Sequence, residues 1–137
     1  MTSFDFELVS PERLLISQPV GMVIVPGEEG DFGVLPGHAP LIASLRTGIL
    51  NIYNDGKVSE RIFVTGGFAE VTPSRCTVLA EEAVNLKDLD AGKLEAEAQQ
   101  QRDELAVLSD ADVRAKAEKK LADISLKLAA LNDHTYN

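Results

Sequence analysis

The chain changes character near residue 85. All six prolines, nine of the ten glycines and six of the seven aromatic residues precede that point. Beyond it Ala, Leu, Glu, Lys and Gln dominate, interrupted by Gly92 and Tyr136. Gly and Pro cut a chain into turns, whereas the residues of the second part are good helix formers. The division predicts strands and turns over residues 1–85 and helices over 86–137. A length of 137 residues suits one domain, or a small domain with an appendage.

Short apolar runs recur through the first part at intervals of ~8–12 residues, the rhythm of a sandwich or barrel. The candidate strands are Phe4–Ser10, Leu14–Ser17, Met22–Val25, Phe32–Leu35, Ile49–Asn54, Val58–Val64, Phe68–Thr72 and Cys76–Ala80. Phe4, Phe6 and Leu8 alternate with Asp5, Glu7 and Val9, which puts the aromatics on one face. Asn54-Asp55-Gly56 contains the Asp-Gly pair that accepts positive φ, so a hairpin should join the flanking strands.

In the second part Leu94, Ala98, Gln101, Leu105 and Leu108 trace a seam along one helix. Val113, Ala117, Leu121, Ile124, Leu128 and Leu131 trace another. Ser109-Asp110-Ala111-Asp112 between them offers N-cap side chains and acidic first-turn residues. So short a connection implies an antiparallel hairpin. The expected class is α+β: an N-terminal antiparallel β-sandwich or flattened barrel, then a two-helix hairpin. The first helix brings alanines and a glutamine to the seam, and burying Ala yields far less than the ~1.5–3 kcal/mol of a large side chain. A hairpin so thinly packed suits a movable element.

Charge excludes several functions. Five basic residues face eleven acidic ones through Val84, and eight face eleven afterwards, for a net charge of −9. Nucleic-acid binding requires clustered Lys and Arg, so it is not expected. One cysteine, Cys76, allows neither an internal disulfide framework nor a Cys-rich zinc site. No apolar run approaches the ~18–20 residues that cross a bilayer, and Met1–Glu7 has no basic stretch leading an apolar one.

The most informative stretch is Pro26-Gly27-Glu28-Glu29-Gly30-Asp31-Phe32-Gly33-Val34-Leu35-Pro36-Gly37-His38-Ala39-Pro40-Leu41. Its glycines and prolines set turns around one short strand, with Glu28, Glu29 and Asp31 at an acidic loop tip and His38 on a stiff second loop. By spacing alone the favoured reading is two surface turns with solvated charges. The stretch resembles the signature of the epsilon subunit of F-type ATP synthases, an acidic Gly-rich loop running into Gly-[Ile/Val]-x-Pro-Gly-His-x-Pro-Leu. Val64-Thr65-Gly66-Gly67-Phe68-Ala69-Glu70-Val71 is similar to that family's Ser-Gly-Gly-Phe-x-Glu-Val, Cys76–Ala80 to its last strand, and Asp88-Leu89-Asp90 to the start of its first helix. The resemblance covers nearly the whole chain in the expected order.

That resemblance implies a non-catalytic subunit of the central stalk, the rotor between the catalytic head and the membrane ring of c subunits. It places Ser10, His38, Ala39, Pro40, Leu41 and Ile42 against the gamma subunit, and Glu29, Gly30, Asp31 and Phe32 against the c-ring. An exposed ion pair is worth only ~0–1 kcal/mol, so Leu41 and Ile42 should supply more affinity than the acidic loop. Some relatives bind ATP through [Ile/Leu]-Asp-x-x-Arg-Ala; here Leu89-Asp90-Ala91-Gly92-Lys93-Leu94 keeps Asp90 but substitutes Lys93, which lacks the planar fork of arginine. The simpler reading of Asp90 is a helix N-cap, and ATP binding is disfavoured by Lys93, Leu94 and Gly92. The resemblance also allows Arg114, Lys116, Lys119 and Lys120 to reach an acidic segment of the beta subunits and hinder ATP hydrolysis; a solvated face with i,i+4 pairs such as Asp112 with Lys116 is the other reading.

No chemistry of the chain's own is expected. His38 has one other histidine, His134, and no paired ligands, so no metal and no cofactor is expected, with ATP as a regulatory ligand the disfavoured alternative. Gly27–Gly30 and Gly66-Gly67 lack phosphate-loop spacing, and no Ser or Cys triad can be assembled. The remaining expectation is location: peripheral, on the cytoplasmic face of a bacterial inner membrane, or on the thylakoid stromal face if plastid-encoded, and joined to the membrane only through the complex. The alternative function is a free-standing nucleotide-sensing module whose hairpin folds over ATP.

Overall fold

A computed structural model describes residues 2–132; His134 lies outside them. Two compact units divide between Lys87 and Asp88. The first unit holds ten strands in two five-stranded sheets. One sheet contains β1 (Phe4–Val9), β2 (Leu14–Val20), β5 (Leu41–Ser44), β8 (Phe68–Thr72) and β9 (Arg75–Leu79), in the order β2-β1-β9-β8-β5. The other contains β3 (Met22–Gly27), β4 (Gly30–Val34), β6 (Gly48–Asn54), β7 (Lys57–Thr65) and β10 (Glu82–Asn85), in the order β10-β7-β6-β3-β4. The pairings are antiparallel except β1 with β9, where the two ends of the sandwich sequence lie side by side in parallel.

The period-two pattern determines the core. Phe4, Phe6 and Leu8 point inward with Ala69, Val71, Cys76 and Val78, against Val23, Val25, Leu50, Ile52, Ile62 and Val64 of the facing sheet. Asp55 and Gly56 both take positive φ, 54° and 75°, and close β6 onto β7 as a primed two-residue turn. Gly67, at φ 90°, lies so close to β9 that a Cβ there would meet the Leu79 carbonyl.

Several local expectations need correction. Leu41–Ser44 and Glu82–Asn85 are strands that carry no alternation signal; each is four residues long, sits at a sheet edge and is made by long-range pairing. β2 continues through Pro19 and β3 through Pro26. β2 is an edge strand, where a missing N–H costs no ladder bond. Gly30 and Asp31 belong to β4 rather than to a loop, which leaves only Glu28 and Glu29 in the turn between β3 and β4.

The second unit pairs α1 (Ala91–Val107) with α2 (Ala111–Leu131) after a single 3-10 turn at Leu86–Asp88. Its cluster is small: Leu94, Ala98 and Ile124, with partly buried Leu89, Leu121, Leu128 and Leu131. Val113, expected in the seam, is 47% exposed. The position facing α1 in that turn belongs to Arg114, whose Nη1 donates to the Leu105 and Leu108 carbonyls at 2.6 and 3.0 Å.

Candidate functional site

The acidic turn and the strand that follows the His38 loop meet at one edge of the sandwich. There the ribbon formed by β3 and β4 and the strand β5 enclose a groove of about 460 Å³ lined by Gly27–Phe32 and Leu41–Ser44. The two residue sets assigned to different partners, Glu29–Phe32 and Leu41–Ile42, are therefore neighbours across one cleft. Two backbone hydrogen bonds join its walls, Glu28 N–H to Ser44 O at 2.9 Å and Arg46 N–H to Pro26 O at 3.0 Å, and together they make Gly27 and Leu45 an antiparallel bridge pair.

Asp31 is engaged within the chain. Its carboxylate accepts from the Arg46 guanidinium, so the unpaired acidic groups at the tip are Glu28 and Glu29. Leu41 and Ile42 also differ. Leu41 lies opposite Val71 on the core side of its sheet, whereas Ile42 lies opposite Glu70 on the outer side and is 72% exposed.

Outer positions of the same sheet bring further apolar side chains together. Cross-strand partners run Leu14, Val9, Leu79, Phe68 and Ser44 in a single row. Leu14 is 54% and Phe68 43% exposed, and Ile42 stands two residues from the end of that row. From Val9 to Ser44 the row crosses three strand spacings, ~14 Å. Ser10 follows Val9 directly, so the row joins Ser10 to Ile42. His38, Ala39 and Pro40 lie toward the opposite end of the sheet: Gly37 N–H donates to Pro73 O at 2.8 Å, beside the turn between β8 and β9. The imidazole Nδ1 lies 2.7 Å from Ala39 O, a local bond that stiffens the loop. The sequence signal for the row was Phe68, an aromatic residue in alternation with Glu70 and Thr72 on an outward face.

The other candidates have local roles. Asp90 is the N-cap of α1, its carboxylate accepting from Lys93 N–H at 3.1 Å; Gly92 leaves room there, since a Cβ would stand 3.3 Å from that oxygen. Asp110 caps α2 through Asp112 N–H and Val113 N–H at 2.9 and 3.0 Å. Arg114 supplies positive charge to the end of α1, whose last turn has no basic residue, and pairs with Glu118 at 3.7 Å. Its guanidinium is thus occupied, while Lys116, Lys119 and Lys120 are exposed. Burial pushes the Cys76 thiol up to about 12, making it an unreactive core residue. Among the described residues no group of three His, Cys, Asp or Glu could hold a metal ion, and no helix is long and apolar enough to cross a membrane.

Comparison with known proteins matches residues 3–86 to the family described as ATP synthase, Delta/Epsilon chain, beta-sandwich domain. The ATP synthase epsilon chain of Rhodospirillum rubrum is 52% identical, over 92% of this chain and 94% of its own length. That of Rhodospirillum centenum is 54% identical, over 90% and 88%. A chain of the Euglena gracilis mitochondrial ATP synthase, solved as an OSCP/F1/c-ring assembly, superposes with a TM-score of 0.82 at 28% identity, covering 96% of this chain and 82% of that one. A Tetrahymena thermophila central stalk/c-ring chain shares the fold, with a TM-score of 0.60 at 15% identity over 93% and 96%. The chain belongs to the ATP synthase epsilon-chain family.

Proposed function

We propose that this chain is the non-catalytic central-stalk subunit that couples the gamma subunit to the c-ring of a proton-driven ATP synthase. The observation that carries the reading is the convergence at β5. An apolar row on the outer sheet face ends beside a groove whose other wall is an acidic ribbon tip. One partner can cover the row while another meets the tip, and the strand between them belongs to a continuous sandwich. Gamma takes the row, Leu14, Val9, Leu79, Phe68 and Ile42, with Ser10 at one end; the His38–Pro40 loop extends the contact along the sheet. Polar loops of the ring take the Glu28-Glu29 tip and Phe32.

Energetics favours this allocation. Exposed charges contribute ~0–1 kcal/mol per pair, whereas apolar side chains buried at an interface core carry most of the affinity. The tip charges accordingly orient the contact and the row holds it. The chain associates with the membrane through the complex, at the cytoplasmic face. The helical hairpin adjusts ATP hydrolysis by the head, with exposed Lys116, Lys119 and Lys120 as its contacts to acidic surface.

Gel filtration with the gamma subunit of the same synthase tests the reading. A co-eluting complex is expected, and detergent-solubilised c-ring should then join it. Failure of folded gamma to shift the elution of this chain would contradict the proposal.

A further inference from the structure

We infer that Arg46 is a positioning residue that fixes the acidic ribbon tip relative to β5. β3 pairs with β6 only through Met22, Val23 and Ile24, opposite Tyr53, Ile52 and Asn51. β3 and β4 nevertheless stay paired as far as Gly27 opposite Gly30. Past Ile24 the ladder to β6 ends, although Gly48 still packs against Pro26, and a ribbon with no ladder partner is marginally stable in water. The segment Ser44–Arg46 takes the place of β6 there, through the backbone links to Pro26, Gly27 and Glu28.

Arg46 extends this support to both strands. Its Nη1 donates to Gly27 O on β3 at 2.8 Å, and its Nη2 donates to Asp31 Oδ1 on β4 at 2.5 Å. One planar guanidinium thus ties the two sides of the turn to the link between β5 and β6, a geometry that a lysine ammonium cannot reproduce. Asp31 is an anchor of the tip in this arrangement, and Glu28 and Glu29 are left free to meet a partner. The Arg46 and Asp31 side chains are 44% and 48% exposed. Removing the strut should loosen the ribbon without unfolding the sandwich. Its use in the assembled machine rests on the coupling reading: the strut holds the ring-facing tip at a constant distance from the gamma-facing strand.

The test is a distance distribution between spin labels in the full-length protein, at Glu29→Cys on the tip and Glu70→Cys on the outer sheet face, with buried Cys76 left in place. The parent should give one narrow distribution. Arg46→Ala and Arg46→Gln should roughly double its width, Arg46→Lys should fall between, and Asp31→Asn should broaden it less than Arg46→Ala. Arg75→Ala, which removes the surface pair with Glu7, should leave the width unchanged. Equal widths in the parent and Arg46→Ala, or equal broadening by Arg75→Ala, would overturn the assignment. The coupling reading is judged separately. If Arg46→Ala loosens the ribbon but reassembled synthase couples normally, the strut stands and the tip's role at the ring fails.

Discussion

Replacing Ile42 by aspartate separates binding from folding at the apolar row. Ile42 is 72% exposed on the outer face, so the free protein should keep its fold with a carboxylate there, at a cost of up to about 1 kcal/mol for the like charge opposite Glu70. Its neighbour Leu41 is 38% exposed and faces the core side, so Leu41→Asp would damage the sandwich and the contact together. Full burial of such a side chain yields ~1.5–3 kcal/mol; with most of its surface still available, a covering partner gains about 1–2 kcal/mol from Ile42. A carboxylate left without a partner in the contact adds about 1–3 kcal/mol. The sum, about 2–5 kcal/mol, weakens the gamma complex roughly 30-fold to several-thousand-fold. Titration calorimetry with gamma measures it, and a urea melt of the free variant should lie within about 1 kcal/mol of the parent. A Kd within about threefold of the parent, with the fold retained, would refute the placement of gamma on this face.

Three other perturbations follow from the same geometry. Gly67→Ala would bring a Cβ within 1.8 Å of Leu79 O at φ 90°, and strain plus backbone displacement should cost about 3–5 kcal/mol in a urea melt; a loss below about 1 kcal/mol would contradict the tight turn. Arg114→Ala uncaps α1, and at about 1 kcal/mol for a partly exposed charged donor, amide exchange in its last turn should accelerate about fivefold; unchanged exchange would remove Arg114 from that role. Cys76 is raised from 9.0 to about 12 by burial, so the folded state holds its proton more tightly. That contribution is complete below pH 9 and is lost as pH rises toward 12, at ~1.4 kcal/mol per unit. Stability should therefore fall more steeply between pH 9 and 12 in the parent than in Cys76→Ala, and parallel slopes would contradict the buried thiol.

Local order was legible in the residues, and long-range order was not. Alternation in Phe4–Leu8, the Asp55-Gly56 turn and the caps at Asp90 and Asp110 each depend on neighbours within a few positions, and each is where the pattern puts it. β5 and β10 escape notice because their only reason to be strands is a partner far along the chain. The parallel pairing of β1 with β9 is hidden for the same reason. The site divides likewise. The acidic turn and the segment after His38 carry recognisable motifs, but no spacing reveals that Arg46 reaches Gly27 and Asp31, 19 and 15 residues away. Nor does it show that Asp31 is neutralised within the chain. The apolar row is written across five strands, so it becomes visible only once their register is known. Val113 illustrates the limit in helices: the seam is displaced by one position because Arg114 finds carbonyls to cap.

The central claim is mechanical coupling without chemistry, and proton-driven ATP synthesis in vesicles carrying the reconstituted synthase tests it most directly. Synthase depleted of this chain should hydrolyse ATP yet fail to synthesise it under a proton gradient. Adding back the full-length protein should restore synthesis, and adding Ile42→Asp at the same concentration should not. Undiminished synthesis by the depleted complex, or full restoration by Ile42→Asp, would contradict the account.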